Sequence, residues 1–548
     1  MDCMKQLEKN FNFDVILYFA VMVTLVLTPM FNSDSLIIPK LVLLFALGMF
    51  MLPKVLENSK FLYRDKKLRL LSILAIIFVT QMILIMLTSE TPFEQQFFGR
   101  TGRGLGFITY FSLIVIILSS AIFIKKSGLN KLLFWLVICA GITSLYSLMQ
   151  RFGLDVFEWE TKTNGIIGTL GNPNFQGSFA AMALIPALVY FWGTGTSRIY
   201  SLSFSLILII TIVVCQSTQG YITALASISI YLLIYAWYKS KPLFYSILIL
   251  VFSGGLVALT GMLDKGPLAT YLYKASVKSR GEMWRTALNA ANNNPFLGTG
   301  LDSFGDFSLL YRDQKTANGV AEFTDNAHNF FLHFAATGGY PLALVYLSII
   351  VLSFYCFIKL QRENHFDKNL AAVFSAWLCF QLQSIISPAS ISTLIWNFII
   401  CGSLIGLSAG NWNTNEIKLL KVKGLSKVFS YFLLLFSILI TYPLFNSDRL
   451  ALQSIRTGDG NLAIVAAKSY PESVIRYSRI GITLLNSGLY PQSLDVARSA
   501  VKFNPNAVSA WILILVNEGA PISERQQAKN EILRLDPFNK EVKSFKFK

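Results

Sequence analysis

The chain has 548 residues, of which 54% are hydrophobic and only 14% charged, and its formal net charge is +17. Soluble domains carry about 25% charged residues, so this composition excludes an ordinary soluble protein and predicts many buried or lipid-facing segments. The positive charge lies in short loops between apolar runs, which argues against a nucleic-acid partner. No Cys-x-x-Cys spacing is present, so neither a redox motif nor a zinc knuckle is indicated.

About thirteen apolar runs are long enough to cross a membrane, where a hydrocarbon core about 30 Å thick needs roughly 17–25 residues of helix. The first run lacks a small-residue cleavage site and is soon followed by others, so we predict an anchor rather than a cleaved signal peptide. The runs lie near 13–30, 35–52, 69–88, 107–124, 131–149, 175–192, 199–216, 221–237, 242–262, 338–358, 369–388, 390–408 and 425–444.

Lys and Arg concentrate in alternate loops, such as 54–69, 125–131 and 359–368, whereas loops 31–34 and 217–220 have none. Because basic loops stay in the cytoplasm, this bias predicts a cytoplasmic N-terminus in a bacterial inner membrane. The periplasmic segments are then 89–106, 150–174, 263–337 and the tail after residue 445.

Two of the shorter external segments have candidate binding residues. Arg100 and Arg103 lie on a Gly-rich turn, where they would contact either a phosphate or the headgroups of membrane lipids. Asn172 and Asn174 lie in a turn-rich entry to the sixth run. That pattern favours a structural turn, and contact with sugar hydroxyls is the alternative.

The first half of the large loop, 263–337, contains Ser279 and Glu282 at the spacing of a capping box. This pattern predicts a helix beginning at Ser279 and ending at the Asn-rich stretch before Pro295. Arg280 would then lie at a helix N-terminus, which favours an anion such as phosphate. The alternative is a solvated arginine or one at the membrane surface.

The second half of this loop contains His328, one of three histidines in the chain. Asp325 or Asn326 can cap a helix that continues into the next span, with His328 in its first turn. A lone histidine is usually structural, but a position beside the bilayer and in the same loop as Arg280 favours chemistry. His333 is five positions further on and points to another face.

The polar tail, 446–548, has Pro471 and Pro505 separated by 34 residues, which is the tetratricopeptide period. An ordinary helical hairpin domain is the alternative. Either interpretation predicts a small α-helical domain after a membrane domain at 1–445, and a concave repeat surface would suit a protein partner. The positions that fit the repeat are Tyr477, Ile480, Gly481, Leu484, Ala497 and Ala500.

Over roughly residues 10–445 the chain resembles the O-antigen ligase and polymerase superfamily, which are bacterial integral-membrane glycosyltransferases. The resemblance lies in the order, spacing and topology of four short motifs. These are Gly-Asn-Pro-Asn at 171–174, Ser279-Arg280 with Trp284, Pro-Phe-Leu-Gly-x-Gly at 295–300, and Ala-His-Asn at 327–329 followed by Thr337-Gly338.

The resemblance implies an all-helical and metal-independent enzyme that needs no cofactor, and attack on the anomeric carbon opposite the leaving group would invert the configuration. Such an enzyme moves a glycan from an undecaprenyl-pyrophosphate carrier to an acceptor hydroxyl on a lipid, a glycan or a protein. Arginines hold the pyrophosphate and a loop histidine acts on the acceptor, so the resemblance assigns Arg280 and His328 to these roles.

Many members have an arginine where this chain has Gln219. Three interpretations stay open: the donor phosphate is held differently, the chain is not catalytic in the usual sense, or Arg100, Arg103 or Arg151 takes that place. Two other functions are also open, a transporter or flippase and a non-catalytic membrane scaffold. The near absence of ionisable residues inside the spans, apart from Lys40 near the start of one, argues against transport.

Overall fold

The computed structural model describes residues 2–157, 159, 166–192, 196–273, 275–314, 324–410 and 425–547. It describes their side chains from residue 12 onward, except those of 196, 275, 276 and 425. All regular structure in these ranges is helical, and no strand occurs in them.

The helices are numbered in chain order. The first twelve are α1 (Asp2–Leu25), α2 (Ile38–Glu57), α3 (Ser59–Leu62), α4 (Lys66–Thr88), α5 (Phe93–Phe98), α6 (Phe107–Phe123), α7 (Gly128–Arg151), α8 (Pro173–Tyr190), α9 (Thr196–Val214), α10 (Thr218–Lys239), α11 (Lys241–Met262) and α12 (Ala269–Leu272). The remainder are α13 (Ala275–Asn293), α14 (Phe304–Tyr311), α15 (Phe330–Glu363), α16 (Lys368–Ser384), α17 (Ile391–Ser408), α18 (Leu425–Thr457), α19 (Gly460–Ala467), α20 (Val474–Asn486), α21 (Tyr490–Phe503), α22 (Val508–Val516), α23 (Ile522–Leu535) and α24 (Lys540–Ser544).

Each of the thirteen predicted apolar runs coincides with one of these helices. Nine helices of the described chain are long and apolar enough to cross a membrane, and α6 and the apolar part of α1 are shorter. The prediction of an all-α polytopic membrane protein is therefore confirmed. The predicted first run, 13–30, is too long, because α1 ends at Leu25 and the residues after it form a loop.

The centre of the bundle is α17, whose apolar window is 94% buried, whereas that of α11 is 0% buried and faces outward along its length. Glycines let α17 lie directly against α6. Any side chain at Gly402 would collide with the carbonyl oxygen of Ile117, and one at Gly406 would collide with that of Ala121. Small residues of this kind permit close backbone approach between membrane helices.

The loops separate to two ends of the bundle, as their alternation predicts. At one end, Lys54 donates to Asn12 at 2.7 Å and Lys131 pairs with Asp14 at 2.7 Å. At the other end, loop 26–37 contacts loops 99–105 and 166–172, and Asp302 and Asp325 contact the 99–105 turn. We call this the outer end, after the predicted orientation.

A break in α15 fastens the large loop to the bundle. Gly339 has φ 74° and ψ 170° inside the helix, a conformation that glycine adopts without strain. Thr299 and Gly300 donate their N–H groups to the carbonyls of Ala336 and Thr337, at 2.9 and 3.1 Å, just before the break. The break leaves the carbonyls of Ala336 and Thr337 without their partners in the helix, and the N–H groups of the loop satisfy them.

The C-terminal region is helical and docks on the outer end. Its helix α18 is continuous across residue 445, so the predicted domain boundary falls inside a helix. The carboxylate of Asp536 pairs with Arg312 at 2.6 Å, and Asn504 donates to Asp306 at 3.1 Å. The six positions that fit the repeat pattern are all buried in this region. The tetratricopeptide assignment stays a prediction.

Candidate functional site

Arg280 lies inside helix α13 and not at its first residue. The helix begins at Ala275 and passes through Ser279, so the predicted capping box is wrong and Arg280 does not lie at a free N-terminus. A full turn of helix precedes it, because no residue between Ala275 and Ser279 breaks a helix. The predicted end is confirmed, since α13 ends at Asn293.

The face of α13 that carries Arg280 packs on the segment around His328. Trp284 follows Arg280 by four positions, which places both side chains on one face of the helix. The indole Nε1 of Trp284 donates to the backbone carbonyl of His328 at 3.4 Å. Below it, Ala287 shares a small buried cluster with Ala327. This packing brings Arg280 towards His328.

His328 lies before α15 and not in its first turn, so this part of the prediction is wrong. Asn329 is the N-cap, and its side chain accepts from the N–H of Leu332 at 3.0 Å. Asn326 instead accepts from the N–H of His328 at 2.9 Å. The resulting turn holds His328 at φ 51°, in the left-handed region that non-glycine residues rarely adopt. Residues in this conformation are enriched at active sites.

Two polar atoms of this site are buried and have no hydrogen-bond partner within the described part of the chain. They are Nδ1 of His328 and Nε of Arg280. An unsatisfied buried polar atom costs about 1–3 kcal/mol. Polar atoms in this state suit a site where a ligand completes the hydrogen bonds.

The surroundings keep the His328 imidazole neutral. Burial, followed by the positive charges of Arg103 and Arg280, lowers the pKa of His328 to about 4, against the opposing effect of Asp325. Burial also lowers the pKa of Arg280, and a guanidinium stays protonated in proteins. The site therefore holds an uncharged base beside a cation at pH 7.

Arg103 reaches the site from the turn between α5 and α6. Its Nε and Nη2 donate to the two carboxylate oxygens of Asp325 at 2.8 and 2.7 Å. Burial opposes ionisation of Asp325, but Arg103 outweighs it and holds the pKa of that carboxyl below its usual value. Asp325, predicted as a possible helix cap, is thus a partner of Arg103.

Arg100 of the same turn points into the protein. It is 4% exposed, and its Nη1 pairs with Asp306 at 2.6 Å. Asp302 holds the turn from below by accepting from the N–H groups of Arg100 and Leu105, at 2.7 and 3.1 Å. Burial raises the pKa of Asp302 to about 6. The charge of Arg100 is therefore matched inside the fold.

Asn172, Asn174 and Gln219 form a second group at the outer end. Asn172 caps α8 by accepting from the N–H of Asn174 at 2.8 Å. The side chain of Asn174 accepts from Ser217 at 2.7 Å, in the turn that begins α10. Gln219 is buried and donates to the carbonyl of Ile386 at 3.4 Å. These contacts join the turn before α8, the turn before α10 and the loop between α16 and α17. Their side chains are polar but uncharged, and we call this group the uncharged lining.

Arg151 is exposed at the last position of α7 and takes part in neither group's hydrogen bonds. The structure thus brings Arg280, Arg103 and His328 together and leaves Arg151 exposed at the end of α7. In the described ranges, no three His, Cys, Asp or Glu side chains are grouped so as to hold a metal ion.

Residues 203–347 match a protein-family model described as O-antigen ligase. The match supports the O-antigen ligase superfamily, and we call this segment the O-antigen ligase domain. It extends from α9 into α15 and contains Gln219, Arg280 and His328, whereas Arg100 and Arg103 precede it. No curated protein matches the chain.

Sequence reasoning missed the carboxylates that attach the arginine turn to the O-antigen ligase domain. Asp302 lies just before α14 and Asp306 lies in it. Both bind Arg100, from which they are separated by 202 and 206 positions. Their separation by four residues is visible in the sequence. Pairing them with a turn before the domain requires the fold.

Proposed function

We propose that the protein transfers a glycan from an undecaprenyl-pyrophosphate carrier to an acceptor hydroxyl at the periplasmic face of the membrane. The O-antigen ligase domain supports glycan transfer in general. The observation that carries the proposal is an uncharged His328 in the electrostatic field of Arg280, each with a buried polar atom that lacks a partner among the described residues.

Arg280 binds the leaving group. The bond between the anomeric carbon and the diphosphate breaks with its electron pair on the phosphate oxygen, so negative charge develops there. A guanidinium at that point stabilises the charge, and its planar fork matches phosphate oxygens. In this proposal the enzyme needs no metal, because side-chain cations neutralise the diphosphate.

His328 acts as the general base. The acceptor hydroxyl loses its proton to the neutral imidazole while its oxygen attacks the anomeric carbon opposite the diphosphate, which inverts the configuration. The bound diphosphate is negative and raises the pKa of His328 from about 4 towards a value suited to proton transfer. Asp325 then stabilises the imidazolium.

The acceptor separates three related activities. We propose an O-antigen ligase, which uses a lipid acceptor, over a polymerase or a protein O-oligosaccharyltransferase that would use the same residues. The docked C-terminal region lies on the same end as the site through the Asn504–Asp306 contact. It is the surface at which an acceptor or a protein partner would dock.

The experiment is carried out in cells that produce the lipid-linked glycan. Deleting the gene should make the undecaprenyl-pyrophosphate glycan accumulate, and the wild-type gene should restore transfer while His328→Ala should not. Purified protein should then transfer the glycan equally well with and without a chelator, with inverted anomeric configuration by NMR. Unchanged levels of carrier-linked glycan after deletion would contradict the proposal.

A further inference from the structure

Lys40 is a buried cation at the outer end of the bundle. It lies in the first turn of α2 and is 2% exposed. Its Nζ donates to the hydroxyl of Ser392 at 2.8 Å and to the carbonyl of Thr169. Within the described ranges no carboxylate lies within ion-pair distance of this ammonium.

An ammonium buried among neutral oxygens is costly, since such groups are normally paired with a carboxylate. A methionine would fill much of the same volume without that cost. Ionisable residues in membrane domains accordingly mark binding sites or pathways more often than they stabilise a fold. The position of Lys40 therefore suits the binding of an anion.

The residues that flank Lys40 in the chain lie against the turn that carries Arg103. A Cβ on Gly104 would meet the side chains of Ile37, Leu41 and Ile391, which surround Lys40 and Ser392 in sequence. The same turn is held from this side by Asp34, whose carboxylate accepts from the N–H of Gly102 at 2.8 Å. The starts of α2 and α17 thus form the floor below the Arg103 turn.

Lys40 is also joined to the group around Gln219. Ser392 follows the loop between α16 and α17, and in that loop Ile386 and Ser387 hydrogen-bond Gln219. Thr169, the other partner of Lys40, belongs to the turn that leads to Asn172. Lys40 therefore lies between the Arg103 turn and the uncharged lining at Gln219.

A bound diphosphate would need a second cation besides Arg280, because the other two arginines of the site are already paired with carboxylates. Arg100 is paired with Asp306 and Arg103 with Asp325, whereas Arg280 pairs with no described carboxylate. A diphosphate carries more than one negative charge, which a single guanidinium does not neutralise.

We propose that Lys40 is a second cation that binds the diphosphate of the donor, a role that rests on the function proposed above. A phosphate oxygen takes the place of the Thr169 carbonyl as acceptor for the ammonium. Ser392 keeps its hydrogen bond and orients the ammonium. Lys40 and Arg280 then share the charge that develops on the leaving group.

The test measures glycan transfer by purified protein as kcat/KM for the lipid-linked donor. Lys40→Met should lower it roughly 10²-fold or more, as the loss of one leaving-group contact does. Lys54→Met is the matched control, a lysine near the other end of α2, and should retain wild-type activity. Adding Gln219→Arg to Lys40→Met should raise kcat/KM at least tenfold above that of Lys40→Met, because it returns a positive charge to the same lining.

The double variant, Lys40→Met with Gln219→Arg, distinguishes a role of the Lys40 charge in binding from a role in holding the fold. If Lys40 only clamps the Thr169 turn, Lys40→Met lowers the unfolding temperature and the added arginine restores nothing, which overturns the inference. Undecaprenyl diphosphate should raise the unfolding temperature of the wild type and of the double variant but not of Lys40→Met. An equal rise in all three proteins also overturns it.

The two proposals fail in different ways. If the wild type transfers no glycan, the proposed function is wrong. If the wild type transfers glycan and Lys40→Met does so at the same rate, only the role of Lys40 is wrong.

Discussion

The indole of Trp284 donates a hydrogen bond to the backbone carbonyl of His328, at 3.4 Å, across 44 positions of the chain. The bond joins the helix that carries Arg280 to the turn that carries the imidazole. Neither element could set this geometry alone, because α13 offers the arginine and the turn before α15 offers the base.

Replacing His328 with alanine should lower glycan transfer by roughly 10²–10⁴-fold, the usual contribution of a general base. The protein should insert and accumulate normally, while carrier-linked glycan builds up. His365→Ala is the control, because His365 is exposed in the loop between α15 and α16. Wild-type transfer by His328→Ala would show that the histidine has a structural role.

The pH profile should reveal the shifted pKa of His328. The imidazole is neutral above its pKa, so activity is present there and is lost as the pH falls through it. In the free protein that pKa is about 4, so the acid limb of kcat/KM should lie well below pH 6.5. The acid limb of kcat should lie higher, because bound diphosphate raises the pKa.

The pH profile of the Arg103→Gln variant tests whether the acid limb reports the pKa of His328. Removing this guanidinium takes away a charge that lowers the pKa of His328 and leaves Asp325, which raises it. The acid limb of kcat/KM should therefore move towards pH 6.5. A limb that stays in place or moves down would contradict the assignment of His328.

Arg280→Ala should cost about 2–4 kcal/mol of transition-state stabilisation, measured from kcat/KM with the lipid-linked donor. Arg280→Lys should recover only part, because an ammonium offers a point charge and no fork. Arg285→Ala is the matched control on the same helix, where Arg285 is mostly exposed and pairs with Asp313 at 3.3 Å. Equal losses in Arg280→Ala and Arg285→Ala would point to a general effect on α13.

The docking of the C-terminal region should depend on Arg312 and Asp536. Their side chains are 12% and 0% exposed, so Asp536→Ala would leave a guanidinium buried without its partner, at about 3–5 kcal/mol. Limited proteolysis should then release the C-terminal helices sooner. The exposed pair Arg498–Glu524 is the control, and breaking it should cost about 1 kcal/mol or less.

The orientation can be tested by reporters fused after Lys548. The alternating Lys and Arg loops predict a periplasmic C-terminus. A phosphatase fusion should therefore be active, and a reporter that folds only in the cytoplasm should be dark. The reverse result would place the outer end in the cytoplasm.

The spans could be predicted from the sequence because length and hydropathy are local properties of a membrane helix. Arg280 and His328 could be selected because they share one loop. Their local settings were predicted less well. Ser279 and Glu282 have capping spacing, but the same spacing fits inside a helix, and α13 begins at Ala275.

The contacts that assemble the site could not be read from the sequence. Arg103 and Asp325 are separated by 222 positions, and no local pattern connects them. Asp325, Asn326 and Asn329 all have side chains that suit an N-cap. Only the packing of the loop on α15 selects Asn329 for that role.

The break in α15 at Gly339 has a consequence for genetics. A side chain at Gly339 would collide with Phe296, and one at Gly298 would collide with the backbone at Thr337, where the loop and the helix exchange hydrogen bonds. Inactivating alleles from a screen for lost glycan transfer should therefore fall at these two glycines as well as at His328. Immunoblotting separates the two classes, because glycine alleles deplete the protein whereas histidine alleles leave a full-strength, inactive band.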